Sequence, residues 1–262
     1  MTTRLAVRTV AKPWGKASLP APFIAPAGER IGEIWFEPPA GLDALLVKYI
    51  FTSEALSVQV HPSDAQCPGS GKEECWLIVD AEPGAALGIG FREPLSAEAM
   101  RAAALDGSIE GLLEWHPVSA GDFFYIPANT VHAIGAGISL IEVQQNSDVT
   151  YRLYDYGRPR ELHLDQGMAV ARGGAYPANC RKVLPAEGNF ALVDGPLFRL
   201  DRLQERPDET LVARYSDRPL LVIPRQGTAQ IQGVTIAVGE CGLAADLRDL
   251  TFTGEVLIAQ PA

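Results

Sequence analysis

The sequence predicts an all-β protein, and three observations carry that expectation. Glycine and proline are frequent, 25 and 20 of 262 residues, and they punctuate many short runs bearing valine and isoleucine. The clearest runs alternate apolar and polar residues with a period of two, the repeat of a strand and not of a helix. Residues 94–116 switch to a helical pattern, which marks a small insert. Composition excludes several functions. A formal charge of −10 argues against nucleic acid or an anionic membrane as partner, because both need clustered Lys and Arg. A local pair of basic side chains still suffices for a phosphorylated metabolite. Cys67, Cys75, Cys180 and Cys241 show no CxxC spacing and suit a reducing cytosol. No apolar run approaches the roughly 20 residues of a membrane span, and Met1–Gly15 carries Arg4, Arg8 and Lys12 with no sign of a signal peptide. A soluble, cytoplasmic protein is expected.

In chain order, residues 1–44 are rich in proline and glycine and read as loops and short edge strands, with Trp14 and Trp35 either lining a pocket or anchoring that segment. Leu45–Phe51 is a strand. In the next, Leu56–His61, side chains two apart share a face. Ser57, Gln59 and His61 therefore point together, either to water or into a barrel where Gln59 and His61 reach one metal ion. Lys72–Val79 is a further strand. Glu74 heads into its apolar interior, which is costly for a carboxylate unless it is paired or metal-bound. Lys72 is either a surface lysine or a cation at the mouth of the same site. Ser96 caps a helix to about Leu105 and Ser108 a second through Trp115, and His116 falls in a loop.

Gly121-Asp122 then turns the chain into the strand Phe123–Ile126, which Pro127 stops. Asn129-Thr130 turns it again and sets His132 at the start of a strand from Val131 to Ile134, as a metal ligand or as a satisfied core histidine. In Leu140–Gln144, Glu142 and Gln144 lie on the face opposite Ile141 and Val143. Arg152 alternates with Tyr154 and Tyr156. Its planar donor fork suits phosphate or a developing oxyanion, the alternative being a structural salt bridge. Beyond residue 160, Asp165 is expected to cap a helix through Ala171. Short strands follow at 197–203, 210–214, 220–223, 228–231, 235–238, 241–245 and 256–259. Gly239–Ala245 echoes the turn-then-strand layout of Gly121–Pro127 without a histidine after it, so the last third reads as a second, metal-free β unit.

Gly121-x5-Pro127-x-Asn129-x2-His132 resembles the second motif of the cupin superfamily, and Gln59-x-His61 with Glu74 resembles its first. More specifically, Leu56–Pro62, Gly71–Trp76, Phe124–Gly135 and Gln144–Asp155 are similar to the type I mannose-6-phosphate isomerases in their short bacterial form. The likeness runs from about residue 45 to 165. It implies a cupin-type jelly-roll barrel over residues 1–165, carrying the helical insert, and a degenerate, metal-free barrel unit over 166–262. It also implies one Zn²⁺ held by Gln59, His61, Glu74 and His132, a donor set that suits the ion. Arg152 matches the family's catalytic arginine, and Ser57, Lys72 and Glu142 match positions lining its sugar-phosphate site. Asn129 stands where the family usually has glycine, and asparagine tolerates the left-handed turn conformation.

The implied reaction interconverts mannose 6-phosphate and fructose 6-phosphate by moving a proton between C1 and C2 through a cis-enediol. Arg152, Glu142 and Lys72 are the catalytic candidates, Glu142 as the base. Ser57, Lys72 and Arg152 are the substrate-binding set. A sugar-phosphate-binding cupin without turnover is the alternative. An Fe(II) dioxygenase would use the same barrel with two or three histidines, a scheme in which Gln59 replaces a histidine and Arg152 has no place. A monomer or weak homodimer is expected.

Overall fold

The computed structural model describes residues 3–38 and 41–262. Met1, Thr2, Pro39 and Ala40, which belong to the loop-rich segment expected at 1–44, lie outside the described residues. The first part of the chain runs β1 (Val7–Lys16), β2 (Ile31–Phe36), β3 (Leu45–Phe51), β4 (Val58–Val60), β5 (Glu74–Ala81) and β6 (Ala86–Phe91). Helices α1 (Ala97–Asp106) and α2 (Ile109–Leu112) follow. Next come β7 (Leu113–Pro117), β8 (Phe123–Ile126), β9 (His132–Ile134), β10 (Ile138–Gln145), β11 (Tyr151–Tyr154) and α3 (Leu164–Val170). The remainder holds β12 (Arg181–Lys182), β13 (Phe190–Asp194), β14 (Phe198–Leu203), α4 (Glu209–Arg214), β15 (Leu220–Gln226), β16 (Thr228–Ile231), β17 (Val234–Ala237), β18 (Gly242–Ala244), β19 (Leu250–Phe252) and β20 (Glu255–Pro261). The protein is thus mostly β, as the punctuated, alternating sequence predicts. Among the described residues no helix is long and apolar enough to cross a membrane.

Four sheets stack in layers. A seven-stranded sheet has the order β1-β2-β3-β10-β5-β8-β12, and a five-stranded sheet, β11-β4-β9-β6-β7, faces it. Between them lie Trp14, Ile50, Trp76, Ile78, Leu140, Leu87 and Ile134. The outer face of the five-stranded sheet, Val58, Val60 and Ala133, is covered by Met100 and Ala103 of α1 and Val170 of α3. Behind the seven-stranded sheet stands a third, β13-β14-β20-β15-β18. Val47, Tyr49, Phe51, Leu77 and Ile141 meet Leu200, Leu221, Ile223 and Leu257 across one shared apolar cluster. The opposite face of that third sheet, Val222, Val256 and Ile258, packs on Ile231, Ile236 and Leu250 of β17-β16-β19.

This stacking explains why β3 reads as an unbroken apolar run. Every residue from Leu45 to Phe51 is buried, because both faces of the strand are covered. The two-residue period sorts its side chains: Val47, Tyr49 and Phe51 face the third sheet, while Lys48 and Ile50 face the five-stranded one.

Several local expectations hold and several shift. Ser96 caps α1, its hydroxyl accepting from Ala99 N, and Gly107 ends it with φ +82°. A side-chain cap of this kind contributes about 1 kcal/mol. The second helix stops at Leu112, and Leu113–Pro117 pairs with β6 as a strand. His116 therefore sits in β7 against the rings of Phe124 and Tyr176, not in a loop. Lys12-Pro-Trp-Gly15 lies inside β1, one of the edge strands expected in this segment. Pro13 is tolerated there because β1 is the edge of its sheet and needs no donor on that side. Asp165 forms no cap and instead pairs with Arg101 at 2.6 Å on the surface. Residues 210–214, expected as a strand, form the helix α4. Asp208, after Pro207, accepts from Leu211 N and caps it, and Glu, Leu, Ala and Arg are good helix formers. Asn129 has φ +72°, the left-handed turn expected for it.

Candidate metal centre and active site

The polar residues singled out by strand parity converge between the two facing sheets. Gln59 on β4 pairs in register with His132 on β9 and with Arg152 on β11, so the three side chains share the inward face. Glu74 opens β5 on the opposite sheet. His61 leaves the end of β4, where the left-handed turn at Asn129 returns a backbone N–H to His61 O at 2.8 Å.

His61 Nε2 is 3.7 Å from Glu74 Oε1, and His132 Nε2 is 3.4 Å from the same oxygen. All three residues are buried, and their ligand atoms lie within 4.8 Å of one another. Both imidazoles are held from behind. His61 Nδ1 donates to Val149 O and His132 Nδ1 to Thr130 O, each at 2.9 Å. A carbonyl can only accept, so the proton resides on Nδ1 and the Nε2 lone pairs point inward. Among the described residues Glu74 Oε1 has no hydrogen-bond partner, while Lys72 Nζ stands 2.8 Å from Oε2 as an ion pair. Two imidazole lone pairs and a carboxylate thus face one point, answered only by Lys72 Nζ at 3.4 Å from His61 Nε2 and Gln59 Nε2 at 3.3 Å from His132 Nε2.

Such a convergence of buried donors fits a divalent cation and little else. Gln59 presents its amide N–H to His132, and Ser57 Oγ donates to Gln59 Oε1 at 3.1 Å. A half-turn of the amide would place Oε1 among the other donors. The electrostatics agree with ligation. Burial, helped by Lys72, drives the His61 pKa well below that of a free imidazole, and burial lowers His132 too, so both remain neutral ligands. Burial opposes ionisation of Glu74, but the Lys72 ammonium prevails and holds it below the usual carboxylate value. Burial likewise opposes a charged Lys72, and Glu74 with Glu142 overcomes it, leaving an ammonium.

Beside this cluster opens a cavity of about 380 Å³. Lys72, Glu142, Ser57, Gln59 and Arg152 all line it. Glu142 is 3% exposed; Trp76 Nε1 donates to its Oε2 at 2.9 Å, and Lys48 Nζ lies 3.2 Å from its Oε1. Trp76 also meets the His132 ring edge-on, with centroids 5.4 Å apart. Arg152 forms no ion pair among the described residues. Its Nη1 donates to Glu161 O at 2.7 Å and its buried Nε has no partner, whereas Asp155 takes up Arg158 and Arg160. The guanidinium is therefore available to an anion, and the salt-bridge alternative fails.

Several lining residues escaped the sequence reading: Lys48, Glu33, Asp148, Arg160 and His163. Lys48 had a signal, a lysine in the middle of a wholly apolar strand, subject to the same burial cost that singled out Glu74. Trp14 and Trp35 line the pocket as one of their two readings proposed, with Lys48 Nζ 4.5 Å from the centre of the Trp35 ring.

Gln144 connects the two parts of the site. Fully buried, it accepts from Lys48 Nζ at 2.6 Å and donates to Gln145 O and Ser147 O at 2.6 and 2.9 Å. It thereby fixes the strap that carries Val149 O behind His61. Replacing Gln144 by Met is expected to weaken metal affinity about 10–100-fold, the usual cost of losing an outer-shell support. Competition against a chromophoric chelator measures it, and unchanged affinity would show that the strap holds without the amide.

No family model matches the chain. It is 40% identical over 185 residues to the mannose-6-phosphate isomerase of Streptococcus mutans, a match covering 66% of this chain and 58% of that protein. The chain thus spans less than two thirds of that relative's length. Among solved structures, the mannose 6-phosphate isomerase of Bacillus subtilis superimposes with a TM-score of 0.79 at 24% identity, over 99% of both chains. A mannose 6-phosphate isomerase solved with zinc and yttrium bound superimposes with a TM-score of 0.71 at 14% identity, again over 99% of both. The chain therefore has the cupin-type fold of the phosphomannose isomerases and is a sequence relative of proteins named mannose-6-phosphate isomerase.

Proposed function

We propose that the chain is a metal-dependent aldose–ketose isomerase that interconverts mannose 6-phosphate and fructose 6-phosphate. The observation that carries this reading is the junction of a His61–Glu74–His132 donor cluster with a cavity walled by Lys48, Lys72, Arg152 and Arg160. Gln59, His61, Glu74 and His132 would hold one Zn²⁺ per chain, which when bound supplies a Lewis acid toward the sugar oxygens. The chain's own residues do the rest. Ser57 steadies the Gln59 amide. Lys72 and Arg152 place cationic donors where an anionic substrate group or an enediolate oxygen needs them. Glu142 takes the proton from C2 and returns it to C1, or the reverse, while its Oε2 stays anchored to Trp76. We assign this chemistry to residues 1–165 and treat 166–262 as the degenerate, metal-free unit. We further place the protein in the cytoplasm as a monomer or weak homodimer, binding neither nucleic acid nor membrane.

The direct test is turnover of mannose 6-phosphate by purified protein before chelation, after it, and with zinc restored. Activity should vanish on chelation and return with zinc. Absence of turnover at full zinc occupancy would leave a sugar-phosphate-binding protein.

A further inference from the structure

Tyr49 and Phe51 occupy the face of β3 turned away from the metal, since Lys48 and Ile50 take the other. Against that outer face lies a second cavity of about 200 Å³, closed by residues 20–23 on one side and by Arg225 and Val238 on the other. Its walls are apolar. The Phe23 ring is 4.7 Å from Tyr49 and 5.3 Å from Phe51, and Val79 and Val238 complete the lining. Arg225 is the one charged side chain among them.

Arg225 is poorly satisfied for so buried a group. Its side chain is 15% exposed, and its Nη1 is out of reach of solvent with no hydrogen-bond partner among the described residues. The carboxylate beside it, Glu255, stays 3.8 Å from Nε. That carboxylate is also shared: it lies 3.9 Å from Arg202 Nε and accepts from Gln204 Nε2 at 2.8 Å. Arg202 spends its two Nη groups on the carbonyls of Pro185 and Gly188. Two guanidiniums therefore face one carboxylate, and one positive charge is left over in a largely apolar setting. Buried donors of this kind ordinarily have acceptors.

We propose that this cavity is a binding site for a small organic carboxylate, its carboxylate against the Arg225 guanidinium and its apolar body against Phe23, Phe51, Val79 and Val238. A guanidinium is the side chain best suited to pair with a carboxylate in so apolar a setting. The size agrees, since a dry cavity of roughly 150 Å³ holds benzene. The site shares β3 with the metal cavity, yet the inference does not depend on the isomerase reading.

The test titrates the full-length, metal-loaded protein with benzoate, followed by calorimetry. Saturable binding at one site is expected, in the millimolar range or tighter. Benzyl alcohol, the neutral analogue, should not bind saturably, and inorganic phosphate, which has no apolar body, should bind at least tenfold more weakly. Arg225→Met should weaken benzoate binding at least tenfold. Val238→Phe keeps Arg225 but fills the space, and it should do the same while leaving metal content unchanged. No saturable binding to the unaltered protein would overturn the proposal. So would equal binding by both variants, which would place benzoate elsewhere, the metal cavity included.

Discussion

Replacing His132 by alanine is expected to strip the protein of tightly held metal and to abolish isomerisation of mannose 6-phosphate. The argument is one of donor count. Among the described residues, His61, Glu74 and His132 are the buried groups whose ligand atoms converge. Losing one imidazole leaves a single nitrogen and one carboxylate, with Gln59 as the remaining neutral donor. The penalty should exceed the roughly 10–100-fold that changes behind a ligand cost. Metal analysis after dialysis gives the first readout. Thermal unfolding gives the second. Metal at about a thousand times its Kd stabilises a protein by roughly 4 kcal/mol, and the variant should forfeit that increment on zinc addition. Its metal-free form should remain folded, because removing the imbalance of lone pairs offsets part of the lost packing. Stoichiometric zinc in dialysed His132→Ala protein would sink the assignment.

The second large effect separates chemistry from metal binding. Glu142→Gln keeps an acceptor for Trp76 Nε1 and nearly the same volume, but the amide has no basic oxygen. The rate should fall about 10²–10⁴-fold, the usual contribution of a general base, with zinc content unchanged. Exchange of the C2 proton of mannose 6-phosphate with solvent, read by NMR in deuterated buffer, should fall in parallel. Retained exchange would remove Glu142 from the role and turn attention to another carboxylate lining the cavity, Glu33 or Asp148.

The donor cluster is legible in part because strand parity puts Ser57, Gln59 and His61 on one face and Glu74 and Glu142 interrupt apolar runs. Period two groups these side chains but leaves their face open to water or to a barrel, and the resemblance to a known family is what joins them with His132 in one metal site. Lys48 obeys the same rule, but one lysine does not disturb the pattern of an otherwise apolar strand. His163 and Arg160 had no such signal. They lie beyond β11, and they reach the pocket because the chain folds back until His163 N donates to Arg152 O and His163 Nδ1 accepts from Arg152 N. A return of that kind is a tertiary contact with no local period. Residues 210–214 failed differently: threonine and valine suggested a strand, while Pro207 and the capping Asp208 already marked a helix start. The layering was invisible for a similar reason, since an unbroken apolar run shows that both faces of β3 are covered but not what covers them.

That layering constrains how the sequence can drift. The strands carrying Lys48, Glu74 and Glu142 present Val47, Tyr49, Leu77, Ile141 and Val143 from their backs to Leu200, Leu221, Ile223 and Leu257. A substitution at Leu221 or Leu257 is thus one side chain removed from the strands that hold the reactive groups. The last third contributes none of the residues proposed for the metal site, yet the chain is expected to tolerate neither its loss nor free variation there. Deleting it would leave the back of the seven-stranded sheet open to water and to other chains as an adhesive surface. Mutations there would enter the phenotype as misplaced strands or as aggregation, and selection on the site proposed for the first two thirds would preserve the last third as well.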